Sequence, residues 1–513
     1  MDLSALGLTP ALLPALVPGR RYPVDAMQLL TACRVAWEQG GQLVALWASD
    51  DRDREQGLTV RVMLRDRDGL TLLEHRAMTI DAQYPDLGSI FPAAQRMQRA
   101  AFDLVGAQAE SDDQRPWLRH AGWSADAFPL RRDFAERQHL SGVEDYAFVR
   151  VQGDGVHEVP VGPVHAGIIE PGHFRFQVVG EKVLRLEARL GYVHKGIEKR
   201  FNGMTLADGH RLAGRVSGDS TAAYAWAYAH AVETLCNAAA PARATSLRAL
   251  LVERERIANH LGDLGALGND AGLAFGLAQF SRLREDLARR NAHVFGHRLL
   301  MDAIVPGGVA TDVTAADVEA MRADAAQLSR EVRRLRAIYD NHAGLQDRFR
   351  ACGIVSAGLA TTLGISGMAA RASGSNADLR AQFPVAPYDA LDVKVAIRSE
   401  GDVAARVALR FDEIDESLRL VVAILDALPE GAILAPVPNA TAYRAGYGWI
   451  EGWRGPVLVA LESGPGNTIR RCHVHDPSWE NWPVLEHAVI DNIVPDFPLI
   501  NKSFNLSYSG HDL

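Results

Sequence analysis

The sequence predicts an α+β protein: a small N-terminal α/β domain, then a large domain with a central long-helix bundle and peripheral β-hairpins. Three observations carry this reading. Residues 42–49, 58–65 and 70–80 are apolar-rich runs separated by turns such as Asp66-Arg67-Asp68-Gly69, as a small sheet requires. Residues 221 to about 342 repeat apolar side chains at three and four spacing over stretches long enough for bundle helices. The chain, at 513 residues, exceeds one ordinary domain.

In chain order, residues 1–20 carry Pro10, Pro14 and Pro18 and little periodicity. After the three strand-like runs comes a helical stretch, 93–105, then a polar irregular segment, 108–126. A linker rich in charge and glycine, about 135–155, closes this part, so the first domain with linker spans 1–150 and the second 151–513. The second opens strand-like over 159–189, around a loop containing Gly162-Pro163-Val164-His165-Ala166-Gly167 and Glu170-Pro171-Gly172-His173-Phe174. Helices are expected over 221–239, 244–267, 273–295, 315–339 and 402–428, broken by Gly268-Asn269-Asp270 and Pro306-Gly307-Gly308. From 457 to the end the pattern returns to short strands and loops.

Composition narrows the function. A hydrophobic content of 48% and charged content of 23% are those of a soluble globular protein. A net charge of −9 and a pI near 6.0 argue against a nucleic-acid partner. No apolar stretch approaches the roughly 18 residues of a membrane span, and no basic segment followed by an apolar core opens the chain. Cys33, Cys236, Cys352 and Cys472 are scattered without a CxxC pair, which argues against a thiolate-built zinc or iron–sulfur site and for a reducing, cytosolic setting. No GxGxxG follows a strand and no P-loop lysine occurs, so the chain is not expected to bind NAD or ATP itself.

Several stretches could carry chemistry. Arg215-Val216-Ser217-Gly218-Asp219-Ser220 reads locally as a helix start, with Ser217, Asp219 and Ser220 as cap acceptors. Ser507-Tyr508-Ser509-Gly510 repeats its i, i+3 spacing of small residues. His165 and His173, eight residues apart in a glycine-rich loop, suit proton delivery or a polar head group, or are surface histidines of a hairpin. Glu198 stands just before an expected helix and either relays protons or favours the helix N-terminus. Glu253, Arg256 and His260 share one helix face, as a buried polar network or a solvated stripe. Arg454 in Glu451-Gly452-Trp453-Arg454-Gly455 reaches a site or is a solvated loop arginine. Cys472, His473 and His475 in a strand do not aim three ligands at one point.

Taken together, these segments resemble one family along almost the whole chain. Gly162-Pro163-Val164-His165, Glu170-Pro171-Gly172-His173-Phe174 and Gly191-Tyr192-Val193-His194-Lys195-Gly196-Ile197-Glu198-Lys199 are similar to the opening of the large subunit of group 4, energy-converting [NiFe] hydrogenases. They equally resemble the homologous 49-kDa-type subunit of complex I. Residues 253–260, Pro306-Gly307-Gly308-Val309, Arg371-Ala372-Ser373-Gly374 and 451–455 resemble that family's bundle motifs. Phe91-Pro92-Ala93-Ala94 and Phe128-Pro129-Leu130-Arg131-Arg132-Asp133 resemble the 30-kDa-type subunit, so the whole is similar to the fused large subunit of formate hydrogenlyase.

The departures are as informative. A [NiFe] hydrogenase has Arg-[Ile/Val]-Cys-Gly-x-Cys where this chain has Arg215 to Ser220, and a second Cys-x-x-Cys where it has Ser507 to Gly510. All four soft sulfur ligands are replaced, by Ser217, Ser220, Ser507 and Gly510, so no Ni-Fe centre is expected. The resemblance implies a peripheral large subunit on the inner, cytoplasmic face of the membrane, in a complex I-like NADH-quinone oxidoreductase, with NAD used at family level only. It implies a small iron–sulfur partner of the 20-kDa type holding a 4Fe-4S cluster, a ferredoxin-like subunit and antiporter-like membrane subunits. Electrons would pass to a quinone or another small acceptor. His165 matches the family's quinone-loop histidine, whereas the family's quinone-binding tyrosine has no counterpart in Arg215–Ser220, and Tyr224, about one helical turn on, is the candidate substitute. In this reading His165 and His173 bind or protonate the acceptor, Glu198 and Asp219 relay protons, and Glu253, Arg256 and Arg454 set the pocket's charge. Arg215, Ser217, Ser220, Ser507 and Gly510 would line a cavity left by the metals. The rival expectation is a structural coupling subunit with a relic cavity.

Overall fold

The computed structural model describes residues 3–78, 83–120, 123–124, 126–134, 146–165 and 169–513. The N-terminal part is a five-stranded sheet of order β1-β2-β5-β4-β3, with β1 (Ala11–Leu12), β2 (Gly19–Val24), β3 (Gln42–Asp50), β4 (Leu58–Asp66) and β5 (Gly69–Ala77). Only β2 and β5 pair in parallel, because α1 (Ala26–Glu38) and the β3–β4 hairpin lie between them in the chain. The sequence reading had no helix at α1. Its start is written by a capping box, in which Asp25 accepts from the Gln28 N–H and the Gln28 side chain accepts from Asp25 N–H. α2 (Ala94–Val105) covers β3.

The expected linker lies outside the described residues as far as 145, as do Ala166 and Gly167 of the histidine loop. β6 (Val156–Val161), β7 (His173–Val179) and β8 (Lys182–Arg189) form an antiparallel meander. Two short helices follow, α3 (Ile197–Phe201) and α4 (Gly209–Ala213). The bundle comprises α5 (Thr221–Cys236), α6 (Ala242–Asp270), α7 (Ala274–Phe295) and α8 (Ala315–Asn341). The small ribbon β9 (Ile304–Val305) and β10 (Gly308–Val309) sits between α7 and α8. Four short helices, α9 (Ala343–Phe349), α10 (Ala357–Leu363), α11 (Gly367–Arg371) and α12 (Leu379–Gln382), lead to α13 (Val403–Asp426), which lies against α6 and α8.

The sheet of β11 (Ala445–Glu451), β12 (Pro456–Gly464) and β13 (Thr468–His475) packs on α5. Gly446 and Gly448 of β11 make this possible, since a Cβ at either would lie about 2 Å from an α5 carbonyl oxygen. The tail is not short strands and loops beyond β13. It forms α14 (Ser478–Ala488), α15 (Phe497–Phe504) and α16 (Tyr508–Asp512), too short for periodicity to reveal. One continuous apolar core runs from the N-terminal sheet through the bundle. A second cluster joins Leu13, Val44 and Met63 to Trp449 and Leu458 of the β11–β12 hairpin.

The bundle is organised by one turn of α6. Glu253, Arg254, Glu255 and Arg256 are 0%, 2%, 5% and 0% exposed. Successive residues sit about 100° apart around a helix, so these four charges leave α6 in nearly every direction. Glu253 accepts from Arg380 (3.1 Å), Ser417 (2.6 Å) and Tyr388 (2.7 Å). Arg256 donates to the Glu451 and Gly452 carbonyls at 3.0 Å. His260 meets Glu413 at 2.8 Å, and Arg371 bridges Glu413 and Glu451. Buried charge is tolerated only where it is paired and hydrogen-bonded. Glu253→Ala removes one of the two carboxylates that pair with Arg380, the nearer one to Arg256, and the acceptor of Ser417 and Tyr388, and should cost about 3–5 kcal/mol in denaturant unfolding. A loss under about 1 kcal/mol would mean the network does not hold the bundle.

Candidate active site at the C-terminus

The Arg215–Ser220 loop and the chain's end do meet. Ser217 Oγ lies 3.0 Å from Ser507 Oγ and donates to Asp219 Oδ1 at 2.7 Å. Ser507 in turn caps α16, accepting from Gly510 N–H at 2.8 Å. Gly510 is there because nothing larger fits. A Cβ on it would lie 2.6 Å from Asp476 Oδ2 and 2.9 Å from Ser507 Oγ. Asp476 is fixed by Tyr224, whose hydroxyl donates to it at 2.5 Å. Tyr224 is therefore occupied deep in the core.

Arg454 is not a solvated loop arginine. It is buried, donates to Asp219 (2.9 Å), Ser220 (3.2 Å) and the Asn505 carbonyl (2.6 Å), and lies over the Trp453 ring. Burial pushes the Asp219 carboxyl up, but the Arg454 guanidinium outweighs it and holds the group down to about 2. Asp219 keeps one partly exposed edge, so Gly218 and Asp219 form the site's opening to the surface. Arg215 turns away and pairs with Asp302 on the surface at 2.6 Å.

The helix-cap reading of this loop needs correction. Ser220 occupies the cap position of α5, yet no side chain of 217–220 caps it. Their oxygens are engaged with one another and with Arg454. The cap is Glu255 of α6, which accepts from Ala222 N–H (2.6 Å) and Ala223 N–H (3.2 Å). Asn259, one turn on, donates to both the Glu255 and Asp219 carbonyls. Burial drives the Glu255 carboxyl up to about 8, against those two backbone bonds and with Asp219 adding to the rise. The sequence analysis singles out Glu253, Arg256 and His260 on this helix and not Glu255, which points into the core from another side of it.

The histidine loop docks on the same end of the chain. Ser509 donates to Glu170 through both N–H and Oγ, and Gly172 faces the Tyr508 ring with no room for a Cβ. His165 Nε2 donates to the Gly172 carbonyl at 2.8 Å, which leaves Nδ1 as its basic nitrogen. His173 Nδ1 donates to the Gly162 carbonyl at 3.2 Å, and its Nε2 accepts from Arg175. Both nitrogens of His173 thus hold the hairpin together.

Glu198 lies in the first turn of α3, whose start is tied to the C-terminus by N–H bonds from Lys195 and Ile197 to the Leu513 carbonyl. Lys195 Nζ also donates to the Val216 carbonyl. Glu198 accepts from His473 Nδ1 at 2.6 Å and pairs with Arg471 at 3.1 Å. Burial pushes its carboxyl up, but Arg471 and His473 bring it to about 2, while burial takes His473 down to about 4. His475 pairs separately with Glu480 at 2.6 Å. A small cavity of about 30 Å³ lies among Glu198, His473, Trp479 and Leu513, large enough for water. The structure thus joins Asp219, Glu255, Arg454 and the Ser217–Ser507 pair near the C-terminus, and docks the loop that carries His165 there through Glu170 and Gly172. Glu253 and Arg256 belong to the scaffold behind them.

These positions do not fit nickel and iron. They offer two touching hydroxyls, a third bound to arginine, and a glycine whose side of the site is filled by Asp476. Hard, neutral hydroxyls do not replace four thiolates. Among the described residues no group of three His, Cys, Asp or Glu side chains is placed to hold a metal ion.

Comparison with known proteins places this arrangement. The model of the respiratory-chain NADH dehydrogenase 49-kDa subunit matches residues 270–446, and that of the 30-kDa subunit residues 22–139. Formate hydrogenlyase subunit 5 of Escherichia coli (strain K12) is 30% identical over 491 residues, 93% of this chain and 85% of that protein. An NADH-quinone oxidoreductase protein of Phocaeicola vulgatus is 26% identical over 439 residues, covering 80% of this chain and 83% of that one. A chain of the membrane-bound sulfane sulfur reductase, an archaeal respiratory membrane complex, shares the fold. Its TM-score is 0.66 at 22% identity, covering 70% of this chain and 99% of that one. The fold and site define the class of large subunits common to complex I and membrane-bound hydrogenases. The chain belongs to the family of fused 30-kDa and 49-kDa-type subunits that includes formate hydrogenlyase subunit 5. Among the described residues no helix is long and apolar enough to cross a membrane.

Glu255 gives the site a pH signature. The folded protein keeps a proton that the unfolded chain releases above about 4.5, so this contribution to stability is lost as pH rises from about 4.5 toward 8. Glu255→Gln should flatten that fall, by a few kcal/mol across the window, in urea unfolding at stepped pH. An unchanged profile would show that Glu255 ionises normally.

Proposed function

We propose that the chain is the peripheral large subunit of a complex I-like, membrane-bound oxidoreductase, without a Ni-Fe centre, serving a quinone or another small acceptor at its C-terminal site. A 4Fe-4S cluster in a small partner subunit would supply the electrons one at a time, docked at the Gly218–Asp219 opening. Two electrons and two protons convert a quinone to its quinol. The observation that supports the reading is the junction of the Arg215–Ser220 loop with the chain's end, Ser217 on Ser507 and Arg454 on Asp219, with Glu255 behind the loop and the histidine loop docked through Glu170 on Ser509. Asp219 and Glu198, held near 2, act as fixed negative charges rather than relays at neutral pH. Glu255, held near 8, is the buried carboxyl able to exchange a proton there, and His165 Nδ1 delivers one at the surface. A ferredoxin-like subunit and antiporter-like membrane subunits complete the complex, with electron transfer coupled to ion movement on the cytoplasmic side.

A second reading is favoured by the Ser217–Ser507 contact and the Arg454 bridge, which draw the emptied ligand positions together. Here the chain couples a cluster-bearing partner to the membrane module without chemistry of its own. The intact complex in membranes separates the two. His165→Ala and Glu255→Gln should each lower quinone reduction by about tenfold or more, with the complex still assembled on a native gel. Both variants reducing quinone at the unaltered rate would leave only the coupling role.

A further inference from the structure

On the far side of α6 from Glu255, helices α6, α7, α8 and α13 leave a cavity of about 380 Å³, the size of a small-molecule site. Its walls are mixed, with an apolar part made by Ile257, Leu283, Leu287, Met321, Leu328 and Val421. Arg254 also lines it, though only 2% of the residue is exposed. The Arg254 Nε donates to Asn291 Oδ1 at 2.7 Å, and Nη2 is buried without a partner. The rim carboxylates are already spent elsewhere. Asp324 pairs with Arg290 at 2.7 Å, Asp286 with Arg282 at 3.3 Å, and Glu331 with Arg282 and Gln327. Arg254 is the lining arginine with no carboxylate in contact: Arg289 pairs with Glu285 at 2.8 Å and Arg290 with Asp324 at 2.7 Å, while Asp324 favours the Arg254 charge only from a distance. Burial lowers it to about 10, so it remains a cation at neutral pH.

A buried guanidinium without a counter-ion is costly, and its free edge matches a planar carboxylate or a phosphate oxygen pair. The remaining lining combines the aliphatic side chains named above with the paired charged groups, Gln327 and His293. We infer that this four-helix cavity binds an amphipathic monoanion, with a carboxylate or phosphate head on Arg254 and an apolar tail between α7 and α8. The site is separate from the C-terminal one and does not rest on the function proposed for it.

Isothermal titration of the full chain with decanoate tests this, with decanol, acetate and decyltrimethylammonium as controls. Decanoate should bind saturably, one per chain, and at least about tenfold more tightly than each control, because head and tail both contribute. Arg254→Gln should weaken decanoate by about tenfold or more, and Arg254→Lys should keep part of the affinity. Ala325→Phe, which grows into the cavity from α8, should abolish binding while the ligand-free unfolding midpoint stays near that of the parent. That second variant serves if Arg254→Gln does not fold. Decanol binding as tightly as decanoate would reduce the site to apolar partitioning and overturn the proposal. So would decanoate binding unchanged in Arg254→Gln, or association only with anionic vesicles and not with free decanoate.

Discussion

Much of this structure follows from four consecutive charged residues on a helix that has no exposed face at that turn. Glu253, Arg254, Glu255 and Arg256 can be buried only if each meets complementary groups on a different neighbour. Glu253 fixes α12 and α13 through Arg380 and Ser417, and Arg256 fixes the β11–β12 turn. Glu255 fixes the start of α5 and, through Asn259, the loop that faces the C-terminus. Arg254 reaches only Asn291, and a cavity opens where its second partner would be. The Arg215–Ser220 loop is therefore held from behind by the same turn that holds the bundle.

The architecture was legible because its elements are long. Helices of more than twenty residues, such as α6, α7, α8 and α13, show their period over several turns, and their ends fell within a few residues of the expected ones. The two hairpin-rich regions announced themselves through turn residues and strand-like runs. Several short helices, α1 and α14 to α16 among them, were missed because they show too few turns. α16 offers barely one period, and α1 is marked only by a reciprocal cap between Asp25 and Gln28.

The site was legible in part. Paired small residues at 217, 220, 507 and 510 pointed to one another across the chain, and Ser217 does touch Ser507. What sequence could not supply was burial. In the sequence Arg454 stands between a site arginine and a solvated one, and it is a buried ion pair beside Trp453; Glu255 is not singled out there and is the α5 cap. Both gaps have one origin. Spacing gives the direction of a side chain around its own element, but not what stands in that direction. The same limit hid the pairing of Glu198 with His473, residues 275 positions apart. A relay role assigned from residue type alone also overlooks Arg471 and Arg454, which keep Glu198 and Asp219 ionised.

The central proposal is that the C-terminal site is built around hydroxyls, an arginine pair and Asp476, which do not suit nickel. The Gly510–Asp476 contact is its sharpest expression, since a side chain at 510 would collide with a carboxylate anchored by Tyr224. Nickel content of the intact complex, purified from cells grown with added nickel, tests it most directly. The account predicts nickel at background level by mass spectrometry. One nickel per chain, lost on Asp219→Ala or Ser217→Ala, would contradict it.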